Sequence, residues 1–170
     1  MIAIGLLALT LFQDPGTAIP PEVQHLVRRL PVPTSTAPTI VTQFVRDTVA
    51  AGEKAELVTV VWFPTKLRDT LRHAPAVKQA TFVGNIVPRD VHGLIKLPVE
   101  QPVGREPFDV YVSWQSVYPS GVDRVEAAPA ALTYLVTSTN PMVPDSVISI
   151  RSLATSLVVQ PARESPHTQR

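Results

Sequence analysis

Few residues in the sequence combine the type and the spacing that catalysis or metal binding requires. Asp90 and His92 are two positions apart, which would place both side chains on one face of a strand, but two ligands do not complete a metal site. A turn explains this pair better. Ser120 follows a proline and lacks the G-x-S-x-G pattern of a nucleophile elbow. The four histidines are scattered along the chain: His25, His73, His92 and His167.

The remaining reactive groups also give no pattern that predicts an enzyme. A pair of carboxylates could serve glycoside hydrolysis, but Glu53 with Glu56 and Asp123 with Glu126 are interpreted as solvated turn residues. None of the seven glycines stands in a phosphate-binding loop, and the chain has no cysteine. We therefore expect no catalytic, cofactor-binding or metal-binding residues, and a protein that needs no cofactor and is not an enzyme.

Charge is nearly balanced over the chain, with one local concentration of basic residues. The 15 Lys and Arg against 14 Asp and Glu lack the basic excess of a nucleic-acid-binding protein. A stretch between two expected strands is basic, with Asp69 its only acid. This stretch could face anionic lipid headgroups or an acidic partner; alternatively, it is a solvated end of the domain. Its basic residues are Lys66, Arg68, Arg72, His73 and Lys78.

Residues 1–13 (MIAIGLLALTLFQ) form an uncharged and almost wholly apolar segment. As a helix its apolar run is about 18 Å long, too short for a hydrocarbon core of about 30 Å. It may be interpreted as a cleaved export signal, as an uncleaved anchor that dips into a membrane, or as a strand buried in the domain. We expect an exported protein at the periplasmic side of a membrane, peripheral or anchored by this segment. The candidate contacts in the segment are Ile2, Ile4, Leu6, Leu7, Leu9, Leu11 and Phe12.

Residues 14–39 predict a short helix followed by a Pro/Thr-rich arm. Val23, Leu26, Val27 and Leu30 follow the i, i+3, i+4, i+7 spacing of an amphipathic helix, which begins near one proline and ends before the next. A helix of this length must dock on something to be stable. Its own domain is one partner. A neighbouring subunit is the other, with Leu26 and Leu30 as candidate contacts.

The rest of the chain predicts short strands separated by proline-rich turns. The 18 prolines, about twice the average share, exclude long helices. Residues 40–138 are expected to form the sandwich domain, and residues 139–170 a C-terminal arm with terminal strands and a frayed tail. Residues 56–63 are apolar on both faces, typical of a covered central strand. Residues 108–115 alternate apolar and polar side chains, which predicts a half-buried antiparallel strand. The expected fold class is an all-β, immunoglobulin-like antiparallel β-sandwich of about seven strands.

The segment 94–114 (LIKLPVEQPVGREPFDVYVSW) resembles bacterial immunoglobulin-like and fibronectin-like modules. In those modules a short strand ends at a proline, and a Pro-x-Gly turn leads into an aromatic, alternating strand. The resemblance covers about a fifth of the chain. The chain departs from antibody domains because it lacks the cysteine pair that joins their sheets. The resemblance implies the fold and no activity.

Three functions are compatible with these patterns. The first is a non-catalytic accessory subunit that binds and stabilises a membrane protein complex, with other protein subunits as expected partners and an anionic lipid surface as a further candidate. Its layout is similar to that of small accessory polypeptides of bacterial membrane assemblies, including reaction-centre and light-harvesting complexes. The second is a secreted module that binds carbohydrate or a surface polymer, which would need Trp or Tyr exposed on one sheet face or loop end, with Trp62 and Trp114 as the tryptophans to examine. The third, an enzyme, would need an unrecognised carboxylate pair in a cleft.

Overall fold

The computed structural model describes residues 18–101 and 103–162. In this part of the chain the all-β fold class is confirmed, with ten strands and two short helices. The elements in chain order are α1 (Pro21–Arg29), β1 (Thr39–Phe44), β2 (Thr48–Ala50), β3 (Ala55–Pro64), α2 (Thr65–Thr70), β4 (Ala76–Lys78), β5 (Asp90–Leu97), β6 (Phe108–Val117), β7 (Arg124–Ala127), β8 (Ala131–Val136), β9 (Ser146–Arg151) and β10 (Thr155–Gln160).

The first layer is an antiparallel sheet of four strands in the order β1-β3-β6-β5. Its two central strands, β3 and β6, pair over ten residues each, from Ala55 opposite Val117 to Pro64 opposite Phe108. Every residue of β3 is buried. The prediction that this apolar segment is a strand covered on both faces is therefore confirmed.

The second layer is built around one long hairpin that is interrupted at a single level. Strands β7 and β10 pair antiparallel, as do β8 and β9. Ala127 lies opposite Thr155 and Ala131 lies opposite Arg151, so both pairs of strands share one register. Pro129 falls in the interruption, where it can donate no ladder hydrogen bond, and the Ala130 N–H donates to the Ser152 hydroxyl instead. The hairpin is thus one pair of long strands, each divided in two.

Two features explain why ten strands are found where about seven were expected: the interruption of the hairpin, and the crossing of the first strand from one layer to the other as β1 and β2. Strand β4 lies beside β8, and β2 pairs in parallel with β10 at the other side of the hairpin. We count β7 with β8 as one strand, β9 with β10 as another, and β2 as the end of β1, and number the resulting strands along the chain. The first layer then has the order first-second-fifth-fourth, and the second layer has the order third-sixth-seventh. These are the orders of the two sheets in immunoglobulin-like sandwiches. The strand β2 continues the first strand after it crosses to the second layer.

A hydrophobic core fills the space between the two layers. Large side chains such as Phe44, Leu57 and Phe63 of the first layer pack with Leu132, Tyr134 and Leu157 of the second. The Phe63 and Tyr134 rings meet edge to face, with centroids 5.5 Å apart. Such an arrangement is favourable for aromatic pairs. The core therefore includes a residue of β10, and the sheets extend beyond residue 138, where the sequence placed the end of the sandwich.

Burial raises the pKa of the Tyr134 hydroxyl above its ordinary value. The unfolded chain therefore releases this proton at a lower pH than the native protein, so native stability falls as the pH rises through about 10, the ordinary tyrosine value. A raised pKa of Lys54 acts in the same direction. We expect Tyr134→Phe to reduce this loss of stability. Urea unfolding at pH 7 to 11 tests the prediction; equal slopes of stability against pH in the two proteins would contradict it.

A second core lies on the outer face of the first layer, beneath α1. The helix directs Val23, Leu26 and Val27 onto this face, as the 3.6-residue spacing predicts. Strands β3 and β6 supply the other side of the cluster, including Val60, Val112 and Trp114. Two partners were considered for α1: its own domain and a neighbouring subunit. In the described structure the helix packs on its own domain.

The expectation that β6 is half-buried is wrong. Its polar residues face the space between the layers, where Asp109, Ser113 and Gln115 are buried, and two of them have specific partners there. The Gln115 amide donates to the Ala80 carbonyl at 2.7 Å, and the Asp109 carboxylate forms ion pairs. Alternation predicts the two faces of a strand correctly but does not say whether the polar face meets water or a second sheet.

Candidate partner-binding groove

The helix α1 is much shorter than the strands of the apolar sheet face on which it packs. Nine helical residues are about 14 Å long, whereas the ten-residue strands β3 and β6 are about 33 Å long. The described residues outline a groove of about 970 Å³ along one side of the helix. A smaller depression of about 340 Å³, lined by the start of the Pro/Thr-rich arm, shares Leu30, Val32 and Trp62 with it. The two cavities are therefore neighbours along one face.

The groove is mainly apolar, with polar groups among its lining residues. Side chains of the sheet form its floor, and α1 with the segment after β5 forms its walls. Arg28 and Glu100 add charges of opposite sign, and Gln101 is fixed by hydrogen bonds to the Phe108 backbone at 2.8 and 2.9 Å. The apolar lining residues include Ile19, Val27, Leu30, Trp62, Ile95, Leu97, Val99, Phe108 and Val110. A shallow apolar surface of this kind suits an extended or helical apolar segment.

Both tryptophans belong to the core beneath α1, but at opposite ends of it. Trp62 lies opposite Val110 and Trp114 opposite Val58, so four residues separate them along the sheet, about 13 Å. Trp62 borders the groove, whereas His92 stacks on Trp114 with ring centroids 4.5 Å apart. Both indoles are buried, so neither forms the exposed aromatic platform that carbohydrate binding would need.

The structure brings only some of the predicted apolar contacts to a surface. Leu26 packs in the core beneath its own helix and lines neither cavity, so the structure does not place it at the candidate binding surface. Leu30, one turn further, borders the groove. The contacts predicted at Ile2, Ile4, Leu6, Leu7, Leu9, Leu11 and Phe12 lie outside the described residues.

The predicted basic stretch is partly neutralised by acids that are distant in sequence. Lys66 pairs with Glu106 at 3.0 Å, and Arg68 pairs with both Asp69 and Asp109. The hydrogen bond to Asp69 and the attraction of both carboxylates raise the pKa of Arg68, so its guanidinium stays charged. Asp69 is the only acid of this stretch in the sequence, but the fold brings Glu106 and Asp109 to the same site.

Asp109 connects this stretch to the sheet. Its side chain is only 8% exposed. Arg68 contacts one oxygen of the carboxylate, and Lys96 of β5 contacts the other oxygen at 2.7 Å. Of the predicted basic contacts, Arg72 and Lys78 form no ion pair with any described residue. They lie after α2 and at the end of β4, away from the groove lining.

Two smaller interpretations of charged residues need correction. Asp90 and His92 lie on β5 instead of in a turn, with His92 stacked on a tryptophan and Asp90 exposed. Glu56 is a buried residue of β3, not a solvated turn residue, and it accepts a hydrogen bond from the Lys54 ammonium at 2.5 Å. This bond raises the pKa of Lys54 against the effect of its burial.

The groove itself was not predicted from the sequence. Its signal was present in the strand 56–63, which is apolar on both faces and therefore needs a cover on each side. The even-numbered positions of β6 add Phe108 and Val110 to the same outer face. Comparing the length of these strands with that of the helix predicted before them would have shown that the helix is too short to pack along the whole face.

Within residues 18–101 and 103–162, no three His, Asp or Glu side chains gather as metal ligands would. Neither helix of this part has the length and apolar character to cross a membrane. The chain matches no protein-family model, and no curated protein matches it significantly.

Proposed function

We propose that the protein is a non-catalytic accessory subunit that binds and stabilises a membrane protein complex from its periplasmic side. The single observation that supports this proposal most is the apolar groove that the described residues outline beside α1. The groove there would take an apolar segment of a membrane-integrated subunit. The immunoglobulin-like body, akin to bacterial immunoglobulin-like and fibronectin-like modules, would serve as a rigid support.

The chemistry of the groove indicates the kind of segment that fits. Its floor offers Trp62, Phe108 and Val110, which favour aliphatic and aromatic side chains over sugars or nucleotides. Arg28 and Glu100 would orient the segment by contact with its polar ends. Membrane subunits carry such apolar segments next to polar loops, so a partner of this class matches both features.

Placing a charge at the edge of the groove tests its role without disturbing the core. Val32 borders both cavities and is 47% exposed, so Val32→Arg should leave the fold intact. An apolar segment would then lie against a cation, and we expect binding to weaken about tenfold, which is 1.4 kcal/mol. Val87→Arg is the matched control, because Val87 is 78% exposed and borders neither cavity.

Photocrosslinking in native membranes provides the binding measurement. A photoreactive amino acid at position 32 should crosslink to one membrane-integrated subunit, and the same amino acid at position 87 should not. The identified subunit would then be titrated with the Val32→Arg and Val87→Arg proteins. Recovery of the protein only as a free soluble monomer, or equal weakening by both variants, would overturn the proposal.

A further inference from the structure

Strand β9 is an exposed sheet edge. It pairs with β8 over all six residues without a bulge, and no described strand pairs with its other edge. Its sequence, SVISIR, is rich in β-branched residues, contains no proline and carries one charge at its end. Ile148 and Ile150 point toward the core between the layers but remain only partly buried there. Val147 points to solvent and is 71% exposed.

The opposite outer edge, β5 in the other layer, has the features by which proteins protect such strands. Its register shifts between His92 and Ile95, with Gly93 inside the irregular part, and it carries the charged residues Asp90 and Lys96. Bulges and charges of this kind prevent a second chain from adding to an edge. Strand β9 lacks them between residues 146 and 150, so it can accept another strand.

The sequence of β9 is complementary to a second copy of itself. In an antiparallel pair, residues that lie opposite each other share a face, so odd positions must face odd positions. If the twofold axis passes through Ile148, Val147 lies opposite Ser149, and Asp145 lies opposite Arg151. The pairing thus brings two pairs of opposite charges together, which favours it. Shifting the axis to Ser149 would place Arg151 opposite Val147 and would lose both pairs.

The side chains at the two ends of this pairing are available for it. One oxygen of Asp145 accepts the Ser138 N–H at 2.9 Å, and the other accepts no hydrogen bond from a described residue. Arg151 is exposed and forms no ion pair within residues 18–101 and 103–162. A facing copy would also cover the partly buried Ile148 and Ile150.

We infer that two copies of this chain associate through antiparallel pairing of their β9 strands, centred on Ile148, to give a sheet that continues across both sandwiches. The interface is isologous, so the same residues contribute from each copy. It lies in the layer that faces away from α1. The inference therefore does not depend on the groove and extends beyond the binding of a membrane subunit.

Sedimentation of the full chain over a range of concentrations tests the dimer. Val147→Lys places a cation diagonal to the partner's Arg151 on a solvent-facing position, so we expect the dimer dissociation constant to rise at least tenfold. Val91→Lys, at an exposed position of β5, is the matched control and should leave it unchanged. A protein that remains monomeric up to about 1 mM, or a dimer that only Val91→Lys weakens, would overturn the inference.

Charge reversal tests the register. Asp145→Arg and Arg151→Glu each place like charges opposite one another in a homodimer, so each variant alone should be monomeric at concentrations where the native chain dimerises. In an equimolar mixture every facing pair again has opposite charges, and heterodimers should form. Because recovery in the mixture requires both variants to be folded, misfolding cannot produce it. Failure of the mixture to dimerise would overturn the Ile148-centred pairing.

Discussion

Val23→Asp is expected to lower the free energy of unfolding by roughly 3 kcal/mol, because a charge cannot remain on the buried side of α1 without a partner. Val23 is completely buried in the core beneath the helix. The helix would be forced away from the sheet, and its packing against Val58 and Val60 would be lost. The two layers of the sandwich would keep their own core.

The two halves of this expectation can be measured separately. Urea unfolding gives the loss of stability. Trp62 lies close to the helix at the edge of the groove, so its emission should shift to the red in the native state while the far-ultraviolet β signal is preserved. His25→Asp is the matched control, since it introduces the same residue on the exposed side of the same helix. Equal stability and emission in the two variants would contradict the account of α1.

The covered sheet face also explains which parts of the fold were predictable. Prolines mark the ends of several elements, so α1 ends before Pro31 and β3 ends at Pro64. The predictions of the helix α1 and of the apolar strand β3 were also confirmed, because each was made from a pattern of residues that are close together in the sequence. The short strands β2 and β7 were not predicted. With three and four residues, they are too short for a period-two pattern to be recognised.

What the sequence could not supply was the pairing of distant segments. Nothing near Arg68 indicates that one of its two carboxylate partners is 41 residues away, and the alternation of β6 does not indicate that its polar face meets a second sheet. Likewise, α1 was expected to dock, but the groove beside it follows only from the lengths of helix and strands together. The candidate site results from this difference in length between α1 and the strands, so no single motif could have predicted it.

Asp109→Ala is expected to lower stability by about 2 kcal/mol, because it removes the one carboxylate shared by cations from α2 and β5. Arg68 and Lys96 would then repel each other beside a buried site, although both are partly exposed and can turn toward water, which limits the cost. Asp69→Ala provides the matched control: it removes the other partner of Arg68, but its side chain is 62% exposed. We expect that change to cost less than about 0.5 kcal/mol.

Ionic strength separates the two carboxylates further. A partly buried pair is screened much less than an exposed one, so the effect of Asp109→Ala should persist in 1 M salt, where the Debye length is about 3 Å, while that of Asp69→Ala should vanish. A double-mutant cycle with Arg68→Ala measures the coupling to each acid. The coupling to Asp109 should be the larger, because Asp109 is nearly buried on the central strand β6, whereas Asp69 is largely exposed. Equal couplings would mean that α2 is held by its apolar contacts through Leu67 and not by charge.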